Sequence, residues 1–218
     1  MKNAAVFDMD GTILNTLDDL MDSTNFALKN NGLKERSLEE IRFFVGNGIQ
    51  KLIERAVPQG TSTEVFEKVF ADFKSHYKIH CADKTSYYDG IPSVIQTLRK
   101  MGVKTAVVSN KADFAVQELV EVYFKGLFDV ALGEKTGVSK KPSPDMVNAA
   151  LSVLGVEKEA AFYIGDSDVD FETAKNSSLD FIGVSWGFRG RKFLENLGAK
   201  NIIDSPEELL NFFNRKKL

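Results

Sequence analysis

Two aspartates, Asp8 and Asp10, follow directly on the apolar run Ala4-Ala5-Val6-Phe7, and Gly11-Thr12 comes after them. Residues i and i+2 of a strand point to the same side. If the run is a strand, both carboxylates face one small volume at its carboxyl end, where open α/β sheets bind ligands. Gly11 then lets the chain turn away sharply. Two anions this close repel unless a cation or a shared proton intervenes. The spacing asks for a metal, and all-oxygen ligands suit a hard ion such as Mg²⁺. The same letters also suit a solvated turn after a strand. A calcium loop of the D-x-[DN]-x-[DN]-G type does not fit, because position 12 is Thr, the Gly comes too early and the closing Glu is missing.

Three further segments carry chemistry at predicted strand ends. Val107-Val108-Ser109-Asn110-Lys111 ends a strand with a hydroxyl and an amide. Lys140-Lys141-Pro142 precedes a helix opened at Pro144. Phe162-Tyr163-Ile164-Gly165-Asp166-Ser167-Asp168-Val169-Asp170 ends a strand with three acids. Each has a structural alternative. Ser109-Asn110 can cap the next helix, the two lysines can be solvated surface charge, Asp166 can be a cap, and Asp168 and Asp170 can favour a helix dipole.

The elements that must position these groups alternate, with one break. Strands are predicted over 3–8, 104–109, 128–132, 160–164, 181–185 and 201–203. Between them fall helices over 93–101, 112–123, Pro144 to Gly155, and after Asp166. A final helix is opened by the capping box Ser205-Pro206-Glu207-Glu208. This rhythm reads as an α/β fold with a Rossmann-like parallel sheet and helices on both faces. From Thr16 to Ala82 the periodicity is helical only. Leu17, Leu20, Met21, Thr24 and Leu28 form one stripe, Ser37-Leu38-Glu39-Glu40 caps a second helix, and Ile49, Leu52, Ile53 and Ala56 form a third after Gly46-Asn47-Gly48. Thr61 with Glu64 opens a fourth, carrying Val69, Phe73 and Tyr77. The expected division is a catalytic core over 1–15 and 83–218 and an inserted helical cap over 16–82, placed over the catalytic sheet edge.

At 218 residues the chain is long enough to bury a core without staples. Its 43% hydrophobic and 27% charged residues fit a soluble globular protein. A net charge of −3 argues against nucleic acid as a partner. Cys81 is the only cysteine, which excludes a disulfide framework and a Cys-rich zinc site. No apolar run reaches membrane-span length, and the stretch before Asp8 is too short for a secretory signal. A cytoplasmic monomer or homodimer is the expectation, with neither nucleic acid nor membrane as partner.

Taken in order, Asp-x-Asp-Gly-Thr, an apolar strand ending in Ser-Asn, a Lys before Pro, and Gly-Asp-x-x-x-Asp resemble the motif set of the haloacid dehalogenase superfamily of phosphohydrolases. The helical insertion resembles that family's small α-helical cap. Phe44-Val45-Gly46-Asn47-Gly48 with Leu52 and Ala56, Tyr88-Asp89-Gly90 and Val184-Ser185-Trp186-Gly187 look most like phosphoglycolate phosphatases within it. The resemblance implies Asp8 as nucleophile, forming an aspartyl phosphate, and Asp10 as general acid and then base. It implies a small phosphorylated metabolite as substrate, and Mg²⁺ held by Asp8, the Asp10 backbone carbonyl and Asp166. Asp170 orients metal-bound water or takes part of the ligation. Ser109 and the Asn110 N–H meet the phosphoryl oxygens, and Lys141 supplies positive charge to them, with Lys140 as second choice.

In the cap, Gly46, Asn47 and Gly48 are the expected substrate contacts. Arg42 and Lys51 read as surface charge, His76 and His80 as structural, and Trp186 as packing. A sugar phosphomutase of the β-phosphoglucomutase type carries Ser-Arg-x-x-Ser in the cap, where this chain has Asn47-Gly48-Ile49-Gln50-Lys51. A dehalogenase lacks the second acid. A pyrophosphatase on the same scaffold stays open. A phosphoacceptor receiver domain spans about half this length and has no cap, and a silent binding protein would have lost an acid.

Overall fold

In the computed structural model, which describes residues 2–214, the chain divides into two compact units, Met1–Leu14 with Tyr87–Leu218, and Asn15–Ser86. The crossings between units are two two-residue strands, β2 (Leu14–Asn15) and β3 (Ser86–Tyr87), which pair with each other. The second boundary, after Ser86, lies four residues beyond the expected end of the cap at residue 82. Residues 83–86 go with the helical unit because the Lys84 and Thr85 amides donate to the Asp19 carboxylate at 2.8–3.1 Å, tying the segment to the first helix.

The larger unit is built on a six-stranded sheet. Its strands are β1 (Ala4–Phe7), β4 (Lys104–Ala112), β5 (Val130–Glu134), β6 (Ala161–Gly165), β7 (Asp180–Val184) and β8 (Ile202–Ile203). They lie in the order β5-β4-β1-β6-β7-β8, every pair parallel. β1 and β6 are buried at every residue, as expected for strands covered on both faces. From β1 the chain moves outward through β4 and β5, then returns to add β6, β7 and β8 on the other side. The strand order therefore reverses between β1 and β6, and ligands of open α/β sheets bind outside the carboxyl ends at such a point.

Alternate side chains serve the two faces. Ala4, Val6, Ala106, Val108, Ala161 and Tyr163 pack with Met146, Val147, Ala150 and Leu151 of α7 (Asp145–Leu154) and Ala174 of α8 (Asp168–Ser177). On the opposite face, Phe162 stacks edge-on against Phe213 of α10 (Leu210–Phe213). That helix sits beside α5 (Ile91–Lys100). α6 (Asp113–Phe124) packs beside β5. One short helix, α9 (Arg191–Asn196), has no counterpart in the sequence reading. The Ser205 capping box forms, but it opens a 3-10 turn over Pro206–Leu209 before α10 begins.

The smaller unit holds α1 (Leu17–Asn30), α2 (Leu38–Phe44), α3 (Ile49–Ala56) and α4 (Thr63–His80). α1 packs along α4, and Leu20, Leu28, Ile41, Ile53, Val69 and Phe73 are buried in its core. Ser37 and Glu40 form the expected reciprocal cap. α4 is capped by Ser62, not Thr61, whose hydroxyl donates to the Pro58 carbonyl instead. Among the described residues no helix is long and apolar enough to cross a membrane.

Candidate active site

Parallel pairing sets the site. Phe7 is in register with Val107 of β4 and Ile164 of β6, so the residues that follow these strands emerge together. Asp8 follows β1, Ser109–Lys111 end β4, and Asp166 follows β6. Ser167 caps α8 and Asp170 answers as the third helical residue, with its Oδ2 accepting from the Ser167 hydroxyl at 2.6 Å. That reciprocal cap draws Asp170 back under the end of β6.

Carboxylate oxygens of Asp8, Asp166 and Asp170, all buried, lie within 4.8 Å of one another. Lys141 answers two of them. Its Nζ donates to Asp8 Oδ1 at 2.7 Å, to Asp170 Oδ1 at 2.8 Å and to the Tyr163 hydroxyl at 2.9 Å. Asn110 holds that lysine from behind. Its amide accepts from Lys141 N at 2.8 Å and donates to Lys141 O at 3.0 Å. The two Asp170 oxygens are heavily used. Oδ1 accepts from Lys141 and Tyr163, and Oδ2 from the Asp166 amide and from Ser167. Asp166 keeps more capacity, since Oδ2 accepts from the Phe188 amide at 2.7 Å.

The electrostatics follow from burial. Three carboxylates against one ammonium leave negative charge that Arg189 offsets only in part. Burial and the Asp170 charge push the Asp8 carboxyl up to about 7, against the pull of Lys141. Burial, with Asp170 and Asp8, holds Asp166 well above the usual carboxylate range. Burial works against the Lys141 charge, yet Asp170 and Asp8 outweigh it and keep the ammonium protonated well above its ordinary value. Such a cluster holds either protons or a cation. An oxygen-only donor set short of positive charge fits a divalent hard ion.

A protein-family model described as haloacid dehalogenase-like hydrolase matches residues 5–184. The chain belongs to the haloacid dehalogenase-like hydrolase family. Two proteins called phosphoglycolate phosphatase, from Aquifex aeolicus (strain VF5) and Rhodobacter capsulatus, are each 32% identical to it, over 184 and 196 residues. These alignments cover 84% of both chains in the first case and 87% in the second. A crystal structure of a candidate phosphoglycolate phosphatase from Lactobacillus delbrueckii subsp. bulgaricus superposes with a TM-score of 0.92 at 40% identity, covering 99% of this chain and 100% of that one. Within the haloacid dehalogenase-like family the chain is phosphoglycolate phosphatase-like, an enzyme of phosphatase type.

The structure brings together Asp8, Ser109, Asn110, Lys141, Asp166 and Asp170 at this edge of the haloacid dehalogenase-like core. Lys140 points elsewhere and pairs with Glu134 at 2.8 Å. The Asp10 carboxylate is not part of the three-acid cluster and is paired with Lys111. Gly46, Asn47 and Gly48 belong to the smaller unit. Both glycines have positive φ, 113° and 85°, and Asn47 Oδ1 accepts from Arg55 at 2.8 Å. Lys51 is paired with Glu54. His76 meets the Ser23 hydroxyl and stacks on Phe26, and His80 pairs with Asp83. Trp186 Nε1 donates to the Thr12 carbonyl, fixing the turn after Asp10.

Two participants were not singled out from sequence. Tyr163 sits mid-strand in an apolar run and reads as core. Lys111 closes the Ser-Asn segment and has the i+2 relation to Ser109 that could have marked it.

Proposed function

We propose that this enzyme hydrolyses a small phosphate monoester such as 2-phosphoglycolate, through a phosphoryl group carried on Asp8. The observation that supports this reading most is the buried cluster of Asp8, Asp166 and Asp170, with Lys141 paired to the first and last of them, at the point where strand order reverses. Asp8, the Asp10 backbone carbonyl and Asp166 would hold Mg²⁺, and the ion would supply positive charge beside the phosphoryl oxygens. The saturated Asp170 oxygens suit an orienting role for that residue, not a ligating one.

In the first half-reaction an Asp8 oxygen attacks phosphorus, the bond to the leaving oxygen breaks, and Asp10 gives that oxygen a proton. In the second, Asp10 takes a proton from water, the new hydroxyl attacks phosphorus, and the bond to Asp8 breaks, releasing inorganic phosphate. The Ser109 hydroxyl and the Asn110 N–H bind the phosphoryl oxygens. Lys141 balances the charge that gathers on them. The turn Gly46-Asn47-Gly48 contributes to substrate choice.

A screen of phosphorylated metabolites ranked by kcat/KM tests the reading. Phosphoglycolate should lead, activity should require a divalent cation, and acid-quenched enzyme should carry phosphate on Asp8. A ranking led by sugar phosphates with isomerised product would favour a mutase. Cation-independent turnover would reject the site as drawn.

A further inference from the structure

Lys111 is a buried charge to which the chemistry above gives no task. Its side chain is 2% exposed, and an ammonium so far from water needs an anion beside it. Asp10 supplies it, with Oδ1 accepting from Lys111 Nζ at 2.7 Å. Asp10 is one residue beyond Met9 and two beyond Asp8, yet its carboxylate stays out of the cluster that Asp8 joins. The two buried lysines thus sort the two acids of the first motif, Lys141 taking Asp8 and Lys111 taking Asp10. The backbone places Lys111 for this. The pairing of β4 with β5 slips between Val108 and Ala112, and Lys111 N donates to Ser109 Oγ at 3.2 Å within the slipped stretch.

We propose that Lys111 is a positioning residue for proton transfer, holding the Asp10 carboxylate apart from the cation cluster and in one place beside it. This rests on the reading of Asp10 as general acid and base. Without that ion pair the partly exposed Asp10 carboxylate has two other destinations, a bound cation as an extra ligand, or solvent. Either removes it from the leaving oxygen, and misplacing a reacting group costs rate more than binding.

The test is a double-mutant cycle on the Mg²⁺-loaded enzyme with Lys111→Met, Asp10→Asn and both together. It is read as kcat and KM on an alkyl phosphate and as single-turnover phosphorylation by alkyl and p-nitrophenyl esters. Lys111→Met should lower kcat on the alkyl ester at least about tenfold, within the ~10²–10⁴ that acid–base catalysis typically supplies. KM should move less than about threefold, because uniform binding is untouched. The p-nitrophenyl ester, which needs the acid less, should lose less in phosphorylation. The double variant should be no slower than Asp10→Asn alone, since residues acting as one unit are not additive.

Losses that multiply in the double variant, or a KM that rises while kcat holds, would overturn the proposal. If Lys111→Met fails to fold by circular dichroism, Lys111→Arg and Lys111→Gln carry the comparison, Arg recovering rate that Gln does not; equal rates for the two would overturn it as well. Full activity in Asp10→Asn would reject the acid–base reading itself. A slow Asp10→Asn combined with multiplying losses would reject Lys111 alone.

Discussion

Gly187 lies against Asp166 so closely that a Cβ at position 187 would stand 2.2 Å from the Asp166 Cβ and 2.6 Å from its Oδ2. Gly11 meets the same carboxylate from the first motif, where an added Cβ would stand 2.5 Å from Oδ2. Gly165 does the same for Asp170, at 2.4 Å from its Cβ. The acids of this site are seated in gaps left by absent side chains. Close backbone packing, as well as hydrogen bonds, thus limits where these carboxylates can sit.

Gly187→Ala therefore displaces Asp166 without altering any charge. Mg²⁺ affinity, read by calorimetric titration, should fall about 10–100-fold, the usual cost of disturbing the residues that orient a metal ligand. Unchanged affinity would show that Asp166 is free to shift, or that it holds no ion.

Asp8→Asn should leave no turnover above background while keeping the fold. The amide is nearly isosteric but is neither a nucleophile nor a good ligand for a hard cation. It also removes one of three crowded buried anions, so in the absence of divalent cation its melting temperature should be no lower than that of the parent. Substantial activity in a folded, contaminant-free Asp8→Asn sample would reject the nucleophile.

The adjacent lysines separate sharply. Lys141→Ala strands Asp8 and Asp170 without their ammonium, and removing one partner of a buried pair typically costs about 3–5 kcal/mol. Lys140→Ala removes only a partly exposed pair with Glu134, a kind worth about 0–1 kcal/mol. Urea midpoints and kcat for the two variants check this. Lys141→Ala should lose both stability and activity, and Lys140→Ala should stay near the parent in each.

The parts legible in the sequence are those whose meaning is local. Asp8, Asp166 and Asp170 are marked by residue type at the end of an apolar run, and the strands by their length and continuity. Tyr163 was not legible because its hydroxyl acquires a role only when Asp170 folds back from α8 and Lys141 arrives from a distant loop. Lys111 is hinted at by its i+2 spacing from Ser109, but its pairing with Asp10 depends on the slipped pairing of β4, which that spacing does not show. α9 is six residues long with Leu194 alone buried, too short to show a stripe. Thr61 and Ser62 are both good caps, and only backbone geometry decides for Ser62.

Proton and cation should compete for the acid cluster, with a sign fixed by the direction of the shifts. Asp8 titrates at about 7 in the folded, cation-free protein against an ordinary value of 3.8, and Asp166 is shifted the same way. Between these limits the native state binds more protons than the unfolded chain, so this contribution to stability falls as pH rises through the window. Lys141 is shifted up from 10.5 and keeps its charge throughout that range, so it adds no slope there. In chelator-treated protein the melting temperature should decline from pH 5 to pH 8 as the carboxylates are forced to ionise together. Mg²⁺ needs them ionised, so its binding should release protons below about pH 7, and the rise in melting temperature at fixed Mg²⁺ should grow across the same interval. Differential scanning fluorimetry at several pH values, with and without the cation, reads both trends. A Mg²⁺-induced shift that is flat from pH 5 to pH 8, or largest at the acid end, would mean that the ion does not bind at Asp8 and Asp166.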